Sequence, residues 1–332
     1  MSDGPRCDRR RAMVVLGAVA LTGPPVLFAQ QQKLRIGYLA NDPDRASPTF
    51  RAFAGALNEL GWIEGINLEI LYFSSGGRDE LFPDIAANAV RSNVDLILTT
   101  GSASTKAAIA ATDRIPIVFG SAANPVEQKF VASLARPGGN VTGLALLVRE
   151  LGPKRLQLMK ELLPHGSRFA RLYHSASIAP LQPSIISEDD AAAKSLGVKL
   201  QHVPVKNIDG LEAAFATAAR DRVDGIITTA AALFVVNRDW LAKLAINYRL
   251  PMMSADARFC EAGALISYGE NFSSRYRRAA FLVDKILRGT KPGDLPVEQP
   301  AVFELVLNLR TAKALGMSIP ASIVLQADRL LK

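Results

Sequence analysis

Several signatures that would point to catalysis are missing from this chain. It has no Gly-x-x-x-x-Gly-Lys-Ser/Thr phosphate loop. Its first strand-like run ends in Tyr38-Leu39-Ala40-Asn41-Asp42 with no Gly-x-Gly-x-x-Gly behind it, so nucleotide and dinucleotide binding lose their main markers. No Gly-x-Ser-x-Gly nucleophile elbow occurs. Histidine is scarce: His165, His174 and His202 are the only three, and none has a second His or a Cys at metal-ligand spacing. No metal site, no cofactor and no catalytic residue is expected on these grounds. Cysteine is scarcer still, with only Cys7 and Cys260. Cys260 reads as a small buried hydrophobe rather than a nucleophile, which would need a His partner brought in from elsewhere. Charge of one sign never accumulates in a block of five or six. The densest cluster, Arg275-Tyr276-Arg277-Arg278, reads as a solvated helix face rather than a nucleic-acid surface.

What is present begins with an address. Arg6, Arg9, Arg10 and Arg11 precede an apolar run from Ala12 to Gly23. Pro24-Pro25 ends the run, and Leu27-Phe28-Ala29 offers a small residue before Gln30. Basic, apolar, small-residue stop is the plan of a secretory signal peptide, with cleavage expected near Ala29 and a periplasmic destination. The run is far short of the ~18–20 residues that span a bilayer. Arg10-Arg11 also fits a twin-arginine signal loosely, and the general secretory route is the better match. Cys7 lies upstream of the apolar run, so it is not a lipoprotein's modified cysteine. Cleavage leaves Cys260 alone, and no internal disulfide can form. The net charge is +8; the leader's four arginines against Asp3 and Asp8 carry +2 of it, leaving a mild +6 spread along the rest.

The remainder alternates short apolar runs with amphipathic stretches. Strands are expected at 33–40, 68–73, 94–99 and 115–119, with helices at 48–60, 78–91 and 102–112 between them. In the first helix Phe50, Phe53, Ala54, Leu57 and Leu60 recur at three- and four-residue spacing, and Gly61 ends it. The rhythm restarts: helix 150–163, strand 169–173, helix 187–196, strand 199–205, helix 211–219, strand 225–229, helix 238–248, a short helix 257–262, strand 264–268 and helix 273–287. Such alternation means βαβ units and parallel sheets, here in two successive blocks without a sequence repeat. Arg136 to Asn140 and Gly289 to Pro300 are Pro/Gly-rich and mark boundaries or hinges.

In open α/β sheets ligands bind at the carboxyl ends of the strands. The loops expected there are small and polar: Asn41-Asp42, Thr99 to Thr105, Gly120 to Pro125, His174 to Ser177, Thr228 to Ala231 and Ser254-Ala255-Asp256. A helix opening at Ser102 would offer its free amides to a carboxylate, helped by Ser102 and Ser104. Facing loops from two lobes suit a small polar ligand.

Longer stretches resemble a known family. Phe53 to Asn67, Ala135-Arg136-Pro137-Gly138-Gly139-Asn140-Val141-Thr142-Gly143, Leu295 to Pro300 and Phe303 to Gly316 are similar, in this order, to the ABC transporter substrate-binding proteins that include tryptophan/tyrosine-binding members. The resemblance covers nearly all of the chain after the leader. It implies an α/β fold of the periplasmic binding protein type I class: two Rossmann-like lobes with parallel central sheets joined by a three-crossover hinge. The N-terminal lobe would take 33–145 plus about 252–290, and the C-terminal lobe 146–251 plus about 291–332. It also implies a small-molecule ligand, delivery to an ABC permease with its ATPase, and a monomer. The family's ligand loops map onto Asn41, Asp42, Gly101, Ser102, Ala103, Ser121, Asn124, His174, Ser175 and Asp256. Two positions depart from the usual pattern: Asn124 stands before Pro125 where many members have Asp, and His174-Ser175 replaces an Asn-Pro pair. The expected ligand is a small amino acid or carboxylate, an aromatic amino acid being the family's implication. Two other outputs fit the residues less well, a ligand-sensing module for a receptor and an exported α/β enzyme.

Overall fold

The structure is a computed structural model and describes Met1 and residues 33–146, 148–175, 182–299 and 302–332. The leader, with Arg10-Arg11 and the cut site at Ala29, lies outside the described residues, as do Ser177 and Pro300.

The first sheet is built from β1 (Leu34–Ala40), β2 (Leu68–Ser74), β3 (Leu96–Thr99), β4 (Ile117–Ala123) and β5 (Val141–Leu146) in the order β2-β1-β3-β4-β5, all parallel. Helices α1 (Pro48–Glu59), α2 (Phe82–Arg91) and α3 (Ser102–Ala111) join its strands. Helix α1 starts where it does because Ser47 Oγ accepts from the Phe50 amide and Pro48 needs no amide partner. It stops at Gly61, whose φ of 91° suits a residue without Cβ. Its Phe50, Phe53 and Leu57 are buried against β1 and β2.

The second sheet takes β6 (Arg168–His174), β7 (Lys199–Val205), β8 (Gly225–Thr228), β9 (Met252–Ser254), β10 (Ile266–Glu270), β11 (Phe303–Asn308) and β12 (Arg329–Leu331). The order is β12-β11-β10-β9-β8-β6-β7. It is parallel except at β10–β11, which run antiparallel. Around it lie α4 (Val148–Leu162), α5 (Gln182–Ser195), α6 (Gly210–Arg220), α7 (Ala232–Val236), α8 (Arg238–Asn247), α9 (Ala257–Glu261), α11 (Leu309–Ala314) and α12 (Ala321–Gln326). The remaining helix, α10 (Phe272–Leu287), returns to the first lobe, where Tyr276, Ala279, Ala280 and Val283 share a core with Phe50, Phe53 and Leu57.

This pairing moves the lobe boundary drawn from the sequence. Residues 252–270 were expected with the N-terminal lobe, but β9 sits between β8 and β10 in the second sheet, and Ile226 N donates to Pro251 O at 2.8 Å. Pro251 therefore sits inside the second lobe and marks no crossing. The return also runs later than expected: Thr142 Oγ1 donates to Leu295 O at 2.7 Å, and Leu144 bridges Glu298. The chain passes between lobes after Leu146, after Glu270, and between Glu298 and Phe303.

The first two of those passages are stitched by one residue. Arg275 of α10 donates to Gly120 O at 3.3 Å, Leu144 O at 2.9 Å and Ala145 O at 2.9 Å, and pairs with Glu270 at the end of β10. Gly143 serves the same region, since a Cβ on it would lie 2.1 Å from Phe119 O. Only glycine lets β5 come that close to β4 at a φ of 153°.

Candidate functional site

The carboxyl ends of both sheets face one cavity of about 130 Å³. The first lobe supplies Asn41, Asp79, Thr100, Gly101, Ser102, Ala103, Ser121 and Ala123 to its wall. The second supplies Leu151, Arg155, Ile185, Ala255 and the run from Thr229 to Ala232. Leu146, Glu270 and Phe272, beside the first two passages between the lobes, complete it.

The first-lobe wall is held by its own hydrogen bonds. The Asn41 amide donates to Thr100 Oγ1 at 3.0 Å, and Thr100 Oγ1 donates to Leu39 O at 3.1 Å. Ser102 Oγ accepts from the Ala123 amide at 3.1 Å and from Gln128 Nε2 at 3.2 Å. Ser104 Oγ accepts from the Gly101 amide at 3.1 Å. Both hydroxyls thus tie the loop together, and it is the first turn of α3 that lines the cavity. Amides of a helix's first turn have no intrahelical partners and carry the positive end of its dipole.

Arg155 faces that turn from α4. It is buried, and its Nε donates to Tyr268 O at 2.7 Å. Burial pulls its guanidinium down to about 10. Glu270, equally buried, gives Oε2 to Arg275, while its Oε1 is sealed from solvent with no hydrogen-bond partner. Leu146, Leu151, Ile185 and Phe272 give the wall an apolar flank. The site offers donors on two sides, two carboxylates, Asp79 and Glu270, and an apolar flank. That is equipment for holding a small charged molecule. Among the described residues no group of His, Cys, Asp or Glu could hold a metal ion.

The expected site residues divide. Asn41, Gly101, Ser102, Ala103 and Ser121 line the cavity. Asp42 lines a smaller neighbouring cleft with Tyr38, Tyr72, Arg258 and Tyr276, and lies 3.9 Å from Arg238 of the second lobe. Asn124 is off the wall: at a φ of 41° it turns away, and its Nδ2 donates to Glu127 Oε2 at 3.3 Å. His174 is also off the wall. Its ring sits at the seam between lobes, 3.6 Å from Asp79 Oδ2 and 3.2 Å from Lys206 O. Ser175 Oγ is drawn to Val205 O at 3.4 Å, away from the cavity. Asp256 caps α9 and is bound by Arg258, whose Nε lies 2.9 Å from its Oδ2; the neighbouring Ala255 reaches the wall instead. Burial works against the Arg258 charge, but Asp256 holds that guanidinium above its ordinary range.

The family model described as ABC transporter substrate binding protein matches residues 44–331. The chain belongs to this family. It is 26% identical over 290 residues to a tyrosine-binding protein of Clostridioides difficile, covering 87% of this chain and 82% of that one. Among solved structures it is similar to a conserved domain protein from Vibrio cholerae, with 26% identity, a TM-score of 0.82 and coverage of 90% of this chain and 100% of that one. A Streptococcus pneumonia ABC domain in complex with L-Trp shares the fold at 20% identity, with the same TM-score and coverage. The chain has the two α/β lobes of the type I periplasmic binding protein fold.

Three charged wall residues of this substrate-binding protein, Asp79, Arg155 and Glu270, were missed in the sequence. Arg155 lies on the buried stripe of α4 with Leu151, Leu158, Met159 and Leu162. A charge at helical spacing within an apolar stripe was the available signal. Glu270 closes a strand, where open α/β sheets place their ligand groups, and that position was readable too.

Proposed function

We propose that the protein is the extracytoplasmic solute-binding component of an ABC importer. It takes a small amino acid or carboxylate into the inter-lobe cavity and delivers it to a membrane permease driven by a separate ATPase. The observation that carries this reading is the cavity itself, walled by both lobes, with the first turn of α3 on one side and buried Arg155 on the other. Lobe movement about the crossovers would open and close it. The lobes also touch outside the cavity, where a Cβ on Gly77 would meet Val236 at 3.2 Å, so binding can be read out as a change of shape. The tyrosine-binding relative and the L-Trp complex favour an amino acid.

In this reading Asn41, Gly101, Ser102, Ala103 and Ser121 contact the ligand, and Asp42 acts by holding the lobes together. The protein works as a monomer in the periplasm, with residues 1–29 removed on export and no catalysis of its own. Among the described residues no helix is long and apolar enough to cross a membrane.

The test is ligand discovery on purified protein, unfolded and refolded to strip bound solute, with a thermal-shift screen of amino acids and small carboxylates. A ligand at a hundred times its Kd should add about 2.7 kcal/mol of stability. Ser102→Trp should fill the cavity and remove the shift while the protein still melts cooperatively. If neither class of compound shifts the melting point, the reading fails. The N-terminal residue of the exported protein, read by mass spectrometry, should be Gln30.

A further inference from the structure

The buried arginines around the cavity are not alike. Arg171 pairs with Asp189, Arg258 with Asp256 and Arg275 with Glu270. Arg155 is as buried as these, lines the cavity, and is given only the carbonyl of Tyr268; no carboxylate of the described residues lies within ion-pair distance of it. Across the same wall Glu270 has the opposite condition. One of its oxygens is held by Arg275, and the other is buried without a partner. A buried guanidinium without a counter-charge and a buried carboxylate oxygen without a donor are each costly to keep. The cost is offset if a third molecule supplies both missing partners.

The chemistry of that molecule follows from the inventory of the two groups. A guanidinium only donates, so what meets Arg155 must accept. The carboxylate paired with Arg275 only accepts, so what meets Glu270 Oε1 must donate. Both sit beside the apolar flank of Leu151, Ile185 and Phe272.

We propose that Arg155 and Glu270 are the specificity-determining pair of the site, Arg155 receiving the ligand's carboxylate opposite the first turn of α3, and Glu270 Oε1 receiving its ammonium. Arg275 is a positioning residue, since it fixes the Glu270 carboxylate from the far side. This rests on the binding-protein reading above and narrows it: the site demands both charges of an α-amino acid with an apolar or aromatic side chain, and rejects a ligand carrying one.

Isothermal titration with matched probes tests this on the unmodified protein. The amino acids are L-phenylalanine, L-tyrosine, L-tryptophan and L-leucine. 3-Phenylpropionate and 4-methylvalerate lack the ammonium, and phenethylamine and isoamylamine lack the carboxylate. At least one amino acid should bind, and its singly charged counterparts should bind at least about a hundredfold more weakly, as sites built to hydrogen-bond a group discriminate against its loss. Glu270→Gln should collapse the preference for the amino acid over the deaminated acid, and Arg155→Met the preference over the amine. Circular dichroism would show that each variant is folded. Should Glu270→Gln fail to fold, the wild-type probe ratios decide alone. If the deaminated acids bind as tightly as the amino acids, the assignment of Glu270 is overturned while the binding-protein reading stands. If no probe of any class binds, both fall.

Discussion

Removing the charge from Asp189 should cost the second lobe far more than any surface change. Asp189 of α5 and Arg171 of β6 form an ion pair whose side chains are only 3% and 4% exposed. The pair is also covered, because a Cβ on Gly152 of α4 would lie 2.6 Å from Asp189 Oδ1 and 2.7 Å from Arg171 Nη1. No water can slip in to replace the lost carboxylate at such spacing. In Asp189→Asn the guanidinium stays buried without its counter-charge, and Arg155 nearby adds repulsion; burial first and Arg155 second already bring Arg171 down to about 9. Breaking a buried pair from one side costs about 3–5 kcal/mol. At about 2–4 °C per kcal/mol for domains of 150–250 residues, the melting point should fall by about 6–20 °C. Differential scanning calorimetry of purified wild type and variant measures this. The double substitution Arg171→Met with Asp189→Leu removes both charges and should recover most of the loss, since apolar replacements of buried pairs are often neutral. A loss below about 1 kcal/mol, the range of an exposed pair, would refute the argument. So would a double variant no more stable than Asp189→Asn.

Other expectations are open to direct measurement. Gly269→Ala should destabilise by about 1–3 kcal/mol or more, as overpacking does, because its Cβ would lie 2.0 Å from Ala255 O. It should also weaken ligand binding by shifting Glu270; a variant that melts and binds like wild type would count against the wall described here. Cys260 is fully buried, and burial pushes its thiol up to about 12. A raised thiol pKa means less thiolate, about one part in ten thousand at pH 8, so a disulfide reagent should leave Cys260 untouched in the native protein and label it only after denaturation. Prompt labelling at pH 8 would contradict that. Asp42→Asn should change ligand affinity by less than about fivefold, because its partly exposed pairing with Arg238 across the lobes spans 3.9 Å. A loss of a hundredfold would place Asp42 on the ligand itself.

The α/β rhythm was readable wherever an apolar run was uninterrupted. Strands β1 to β4 and helices α1 to α3 lie close to their expected places. Strand β5 escaped because Gly143 and Thr142 break its apolar pattern, and Gly143 is there for the close approach to Phe119. Helix α7 is only five residues long and carries no polar face to show a period. The ownership of β9 could not be read at all: three residues, Met252 to Ser254, say nothing about which sheet they join. At the site, loops following strands were legible because their position is set by the fold, as with Asn41 and Gly101 to Ala103. Whether a side chain in such a loop points to the wall depends on its neighbours, and that is where Asn124, His174, Ser175 and Asp256 differ from expectation. Arg155 needed the stripe of α4 to be examined for what did not belong there.

The interleaving of the two lobes has a consequence for the newborn chain. The core of the first lobe is closed by α10, which begins at Phe272, and the second sheet gains β11 and β12 only beyond residue 302. A ribosome must therefore have made more than four-fifths of the sequence before either hydrophobic core can be finished. Until then, the pairings available to the emerging segments are partial, and their apolar faces stay open to chaperones. A polypeptide that cannot fold early is one that an export channel for unfolded chains can still accept.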